Sequence, residues 1–368
     1  MSRKISILLL VLAFSAFGRE EYKRTFDKTV PVRAGERVSI EHRFGDVVVH
    51  AHPQSEVVIH ADIRAVGSDA DEAKTFADRV EIAVEPSVSE LFIRTRYPDG
   101  QQRSHFHSRN TSYSVKYDVT IPETSPLEVR NSFGAVSVAG VRAGSEINAS
   151  YGRIEFRDGR GVERFENSFG GLELQNNVGD VTIQGNYGAV DVSGVTGALE
   201  VRNRFGKVTV ARVSNGVTIT NGNGPVQVTD SGGSGTIRNS FGAVTIRNFH
   251  GGPLNVQSSF GAVMLDGISG PLQVENQNGV VDATSAARTN CQPIIMRTSF
   301  STLRVRLPSD ASYQVSARTS FGRVHTDFPL TLSGSISNND INGTIGNGRC
   351  PLTLTDTNGT IEILKSAP

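Results

Sequence analysis

From Phe133 onward, apolar and polar residues alternate in short bursts that recur every nine residues. The fourth and sixth positions of each unit are apolar: Val136/Val138, Ile154/Phe156, Leu172/Leu174, Val181/Ile183, Val190/Val192, Val208/Val210, Val217/Ile219, Val226/Val228, Val244/Ile246, Val263/Leu265 and Leu272/Val274. Between them stand polar residues such as Glu155, Glu173, Thr182, Asp191, Thr209, Gln227 and Thr245. Period-two alternation over so short a β-branched segment predicts a strand with one buried face. Glycine, Asn and Ser fill the remaining positions, so each strand ends in a turn. A strand of this length is not stable alone; stacked in register on its equivalent one coil later, it pairs along its whole length. Two units make one 18-residue coil, and the predicted fold is all-β. It is a parallel β-solenoid (β-helix) of about eleven coils, a rod near ~50 Å long.

Two further ladders follow from the period. Every second unit opens with an aromatic and a glycine: Phe133, Tyr151, Phe169, Tyr187, Phe205, Phe241, Phe260 and, more loosely, Phe300 and Phe321. Asn223-Gly224 and Asn278-Gly279 stand where the aromatic is missing. Two residues earlier runs an amide or hydroxyl ladder: Asn131, Asn167, Asn203, Asn221, Asn239, Ser258, Asn276, Thr298 and Thr319. Stacked Asn side chains can bond to the coils above and below. The glycine after each aromatic predicts a tight bend that turns the ring inward as corner packing. The alternative is an exposed stripe that stacks on sugar rings.

The chain divides into three expected regions. Residues 1–18 read as a secretory signal peptide, with Arg3 and Lys4 ahead of an apolar run and small residues before a cut after Gly18. That run is too short to span a membrane. Residues 19–126 lack the regular repeat but read as strands at Val38–Ile40, Val47–His50, Val57–Ala65, Leu91–Tyr97 and Tyr113–Ile121. Ser68 can cap a short helix with Ala73, Phe76, Ala77 and Val80 on its apolar stripe. Phe44-Gly45-Asp46-Val47-Val48-Val49 already resembles one repeat unit, so this region is expected to be a β-rich N-terminal cap covering the first open edge. Pro98–Ser112 reads as a polar, mobile loop. Residues 127–368 are the solenoid, less regular after Thr284, with the units at Asn342 and Asn358 closing the array. Cys291 and Cys350 lie two to three coils apart in linear order, beyond disulfide reach unless the C-terminal segment folds back.

Lys+Arg and Asp+Glu both number 37, and the first 18 residues hold Arg3, Lys4 and no acid. The mature chain is therefore near −2, a balance that argues against nucleic acid and against a strongly anionic membrane surface. The repeat lacks the regular Asp of calcium-roll nonapeptides. Glu155, Glu173 and Asp191 hold one position in successive coils, with Arg157 nearby, and form an acidic ladder; Asp266 and Asp282 are other outward acids. A solvated face is the plain reading, and a polysaccharide lyase or glycosidase site is the alternative. His50/His52 and His105/His107 could each share a strand face as a metal pair, but no third ligand completes either. No nucleophile–base constellation or phosphate loop is present in the sequence. No catalytic, metal or cofactor-binding residue is assigned, and no cofactor is expected.

The leader, the early Phe44-Gly-Asp-Val-Val-Val unit, the strand ending in Ile121-Pro122 and the repeated Phe/Tyr-Gly-x-Val-x-Val resemble an uncharacterised bacterial β-strand-repeat family of candidate adhesins. The family is similar in style to the head domain of auto-transporter adhesins. The resemblance covers nearly the whole mature chain. It implies a parallel β-helix and an envelope location, and it carries no catalytic residue to transfer. The expected function is an exported, non-enzymatic module of the periplasm or cell surface that binds surface glycans or envelope proteins. The alternatives are a polysaccharide-active enzyme and a structural or signalling accessory without a ligand of its own.

Overall fold

The computed structural model describes residues 19–98, 112–285, 292–333 and 337–366. The signal-peptide reading, most of the Pro98–Ser112 loop, His105, His107 and Cys291 lie outside these described residues. Two ladders of parallel strands enclose a single apolar core. Ten regular turns open at Leu127, Ser145, Glu163, Val181, Leu199, Val217, Gly235, Leu254, Leu272 and Ile294, each paired in register with the next. The parallel β-solenoid read from the nine-residue period is the fold of this chain.

The fourth and sixth positions point inward as expected: Val208, Val210, Val244 and Ile246 have no exposed surface. Larger inward residues need room from neighbours. A Cβ on Gly159 would stand 2.3 Å from Cε1 of Phe156, and one on Gly235 would stand 2.8 Å from Cζ of Phe249.

The corner glycines correct the reading of the aromatic ladder. A Cβ on Gly206 would lie 2.0 Å from the carbonyl oxygen of Gly188, one coil earlier, and φ at Gly206 is +135°. Glycine is required because stacked corners bring backbone against backbone in a conformation that side chains disfavour. It does not fold the ring into the core. The rings project outward, with Phe133 41%, Tyr151 48%, Phe169 42% and Tyr187 43% exposed. The Asn ladder is inside the corner as expected. Asn221 donates to the carbonyls of Gly206 (3.3 Å) and Gly224 (3.0 Å) and to Asn239 Oδ1 (3.2 Å), while Asn203 donates to Asn221 Oδ1 (3.3 Å).

At both ends spatial order departs from chain order. Arg37–Phe44 and Val47–His52 stack directly on the first regular turn. Glu90–Arg96 and Ser112–Pro122, later in sequence, form the turn outside them. Glu56–Gly67 and then Glu20–Pro31 extend that outer layer antiparallel, and Glu81–Pro86 pairs antiparallel with Glu90–Arg96. The strands Glu20–Pro31 and Glu81–Pro86 were not among those expected. Glu20–Pro31 is rich in Lys, Arg, Glu and Asp, which discourages edge-to-edge pairing. The helix spans Ala70–Arg79, and its N-cap is Asp69 rather than Ser68. The Asp69 carboxylate accepts from the Glu72 amide at 2.8 Å, and Ser68 donates through its hydroxyl to Glu72 at 2.5 Å.

At the other end, Cys350–Asn358 and Ile361–Lys365 form a turn inserted between the one opening at Ile294 and the strands Tyr313–Thr319 and Val324–Thr326. The Asn358 unit is thus a coil, but not the last in space. The Asn342 unit is not a coil: Asp340–Ile345 runs antiparallel to Tyr313–Thr319. The fold-back sets Leu352 opposite Ile294 in register. Cys350 is buried and disulfide-bonded.

Candidate functional site

Three outward features could meet a ligand. The first is the acidic ladder. Glu155, Glu173 and Asp191 stand side by side in register on a sheet face. Arg153 pairs with Glu155 at 3.1 Å and also with Glu173; Arg157 lies 3.9 Å from each. Gln175 donates to Glu173 at 2.5 Å. The same arginines serve both glutamates, without the contrast in surroundings that separates acid from base in a glycosidase pair. None of the three acids lines a groove described below. Asp282 does different work: with Arg304, Arg306 and Glu362 it ties the inserted C-terminal turn to the turns before it. Arg304 lies 3.1 Å from Asp282 and 2.5 Å from Glu362.

The second feature is a trough of about 710 Å³ along the corner that follows the second strand of each turn. At this corner the chain passes through a left-handed residue: Asp158 (φ +56°), Asn176 (+58°), Gly194 (+73°), Arg212 (+56°) and Asp230 (+49°). A left-handed residue bends the strand, and the bend repeated turn after turn makes a channel along the rod. Its lining includes Arg142, Arg160, Thr196, Ser214 and His250 together with Asp158, Asn176, Arg212 and Asp230. Asn176 donates to Asp158 at 3.0 Å and Asn248 to Asp230 at 2.8 Å, which sets the two acids in place. A second, smaller groove of about 510 Å³, lined by Arg238, Gln257, Glu275 and Arg297 among others, runs beside the Asn ladder.

The third is the aromatic stripe. Phe44, Phe133, Tyr151, Phe169, Tyr187 and Phe205 form an unbroken stack with centroids 4.8–5.3 Å apart and planes within 9° of parallel. Phe241 and Phe260 form a second stack at 5.1 Å. Inside each stack the ring faces cover one another and the edges meet solvent. The sugar-stacking reading requires open faces, so the stack interior does not supply it. Tyr97, Tyr113 and Phe76 close the N-terminal end as a tilted cluster against Phe44.

His50 and His52 end the strand Val47–His52, and His52 Nε2 donates to the Glu56 carbonyl at 2.7 Å. Among the described residues no cluster of three or more His, Cys, Asp or Glu is placed to hold a metal. His42 is buried, with Nδ1 3.1 Å from Thr95 Oγ1, and burial pushes its pKa down to about 4.

One group escaped the sequence reading. Glu163 has no exposed surface and occupies an inward position between Ser145 and Val181. Neither carboxyl oxygen makes a well-formed hydrogen bond. Burial pushes its pKa up to about 7, with Ser145 pulling weakly the other way. The signal was available: in the unit beginning Arg160-Gly161, Glu163 and Phe165 are the fourth and sixth residues.

The family model described as Toastrack DUF4097 matches residues 59–364. No curated protein matches the chain. Among solved structures, a candidate cell-adhesion protein from Clostridium sporogenes is 11% identical, over 94% of this chain and 100% of that one, with a TM-score of 0.22. A candidate adhesin from Parabacteroides distasonis is 9% identical, over 92% and 97%, with a TM-score of 0.22. Another from Bacteroides fragilis is 11% identical, over 92% and 97%, with a TM-score of 0.16. No helix among the described residues is long and apolar enough to cross a membrane.

Proposed function

The chain belongs to the Toastrack DUF4097 family, and from that premise we propose that it is an exported, adhesin-like binding module without catalytic activity, whose ligand lies in the polar trough. The observation that carries this reading is the trough itself. Its lining residues Arg142, Arg160, Val178, Thr196, Ser214, Gly232 and His250 come from seven successive turns, so it extends roughly 30 Å along the rod at ~4.8 Å per turn. Such a channel suits an elongated ligand that is hydrogen-bonded along its length, a surface glycan or an extended segment of an envelope protein. Three arginines, Arg142, Arg160 and Arg212, and two aspartates, Asp158 and Asp230, offer donors and acceptors without a dominant charge, in keeping with the balanced composition.

The proposed domains are the leader 1–18, the cap 19–126 and the solenoid 127–368. A disulfide at Cys350 fits an oxidising compartment and so supports export. Mass spectrometry of the mature N-terminus should find residues 1–18 removed; intact Met1 in the cytoplasmic fraction would reject export. For the ligand, a glycan array and a polysaccharide-cleavage screen should be run on one preparation. Binding that is lost in Arg160→Ala/Arg212→Ala and kept in Glu173→Gln is the expected result. Cleavage abolished by Glu173→Gln would overturn the reading in favour of an enzyme.

A further inference from the structure

We propose that the aromatic stripe is a self-association surface, on which two copies of the chain lie side by side and parallel, related by a two-fold axis along the rod. The stripe sits on a different corner from the trough, and the inference stands apart from the identity of any ligand.

Size is the first argument. The exposed rings keep 41–74% of their surface open. At ~150–250 Å² per aromatic side chain, the stripe offers on the order of 700 Å². Summed over the whole stripe, that approaches the ~800 Å² per partner of a stable interface.

The period is the second. Rings repeat every 4.8–5.3 Å, the rise of the solenoid itself. An extended peptide advances ~3.3 Å per residue and drifts out of step. A second solenoid presents one group opposite every ring.

The interruptions are the third argument, and they choose the orientation. Asn223, Asn278 and Asn358 replace the ring at three rungs, opposite Phe241, Phe260 and Phe300 in the register. In a parallel, in-register pair every ring meets its own counterpart, and each Asn meets an Asn and can exchange amide hydrogen bonds. An antiparallel pair centred between Phe241 and Phe260 would match Asn223 with Asn278, but it sets Asn358 against Tyr187 and leaves Phe44, Phe133 and Tyr151 without a counterpart. Isolated polar residues in an apolar seam fix register in the same way in coiled coils. The residues just before the rings are mostly small and uncharged, as at Ser132, Ser150, Ser168, Ser240 and Ser259; the charges on that flank, Arg43 and Arg204, lie over the rings of Phe44 and Phe205.

Sedimentation equilibrium on the full mature chain should show a concentration-dependent dimer. Phe169→Ser/Tyr187→Ser should raise the dissociation constant about tenfold or more while the far-ultraviolet spectrum stays that of the parent. Spin labels at Ser132→Cys, Ser168→Cys and Ser240→Cys, one at a time, report orientation. The parallel pair gives one and the same short distance at all three sites. An antiparallel pair gives distances that grow by about 10 Å for each rung away from its centre, and that result would overturn the orientation. A monomer at every concentration, or a dimer indifferent to loss of the two rings, would overturn the surface.

Discussion

The ten regular turns and the two ends of the rod meet the same requirement by different means. A solenoid turn in the middle has its strand donors and acceptors satisfied by the turn above and the turn below, and its apolar residues covered by equivalents of themselves. An end turn lacks one neighbour, and repetition cannot supply it. Both ends answer with a change of order: Arg37–Phe44 and Val47–His52 at one end, and Cys350–Asn358 and Ile361–Lys365 at the other, are stacked one turn in from the extremity, and strands from farther inside the chain close over them. Antiparallel strands then finish the cover. The lesson is that a repeat specifies stacking and says nothing about where stacking stops. Termination has to be encoded by residues that break the pattern.

The sharpest way to break the comparison is to charge the core. Val210→Asp places an unpaired carboxylate between Val192 and Val228 with no water in reach, and should cost on the order of 4 kcal/mol in denaturant unfolding. Val32→Asp in the cap, where the side chain already retains 8% exposure, should cost clearly less. Equal losses would mean that Val32 is as tightly enclosed as Val210.

The glycines sharpen the same contrast at smaller scale. Gly206→Ala should cost about 3 kcal/mol, because its new methyl has only the Gly188 carbonyl to displace and that carbonyl is held by the stack. At Gly35, near the start of the cap, a Cβ meets nothing within 4 Å and only the positive φ of 75° opposes it. Gly35→Ala should cost about 1 kcal/mol. Paired melts of the two variants check the ratio.

Much of the middle was legible because the period is short and the inward positions never drift. Val208, Val210, Val244 and Ile246 could be placed in the core from spacing alone. The ring direction could not: Phe-Gly reads equally as a bend that buries the ring and as a bend whose backbone is too close for a side chain. Only the 2.0 Å approach of Gly206 to Gly188 decides between them. The insertion of Cys350–Asn358 was hidden for a different reason. Its units match any neighbouring coil equally well, so pattern cannot say which pair it enters. The trough escaped as well, because left-handed residues at Asp158, Asn176, Arg212 and Asp230 are polar residues that also read as ordinary turn positions.

An effect that depends on pH comes from Glu163. Its folded-state pKa of about 7 lies above the ordinary 4.5, so the folded chain holds a proton that the unfolded chain releases between those values. Stability from this group is full below about pH 4.5 and is lost as pH rises through about 7; above that, the buried carboxylate costs on the order of 3 kcal/mol. His42 acts in the opposite sense: its pKa of about 4 means stability is lost as pH falls from 6.5 toward 4. Urea unfolding of Glu163→Gln beside the parent at about pH 5 and pH 8 isolates the first group. The variant should gain stability at the higher pH and little at the lower one. An unchanged difference between the two pH values would show that Glu163 is ionised and solvated in the folded chain.

The rod is closed by turns out of chain order. Amide hydrogen exchange read strand by strand across 294–366 probes that closure. Although Cys350–Asn358 and Ile361–Lys365 end close to the C-terminus, the account predicts protection at Leu352, Leu354, Ile361 and Ile363 equal to that at Leu303 and Val305, because strands pair with them on both sides. Fast exchange at those four amides, with slow exchange retained across Tyr313–Thr319, would place the C-terminal turn at the outside of the stack and contradict it.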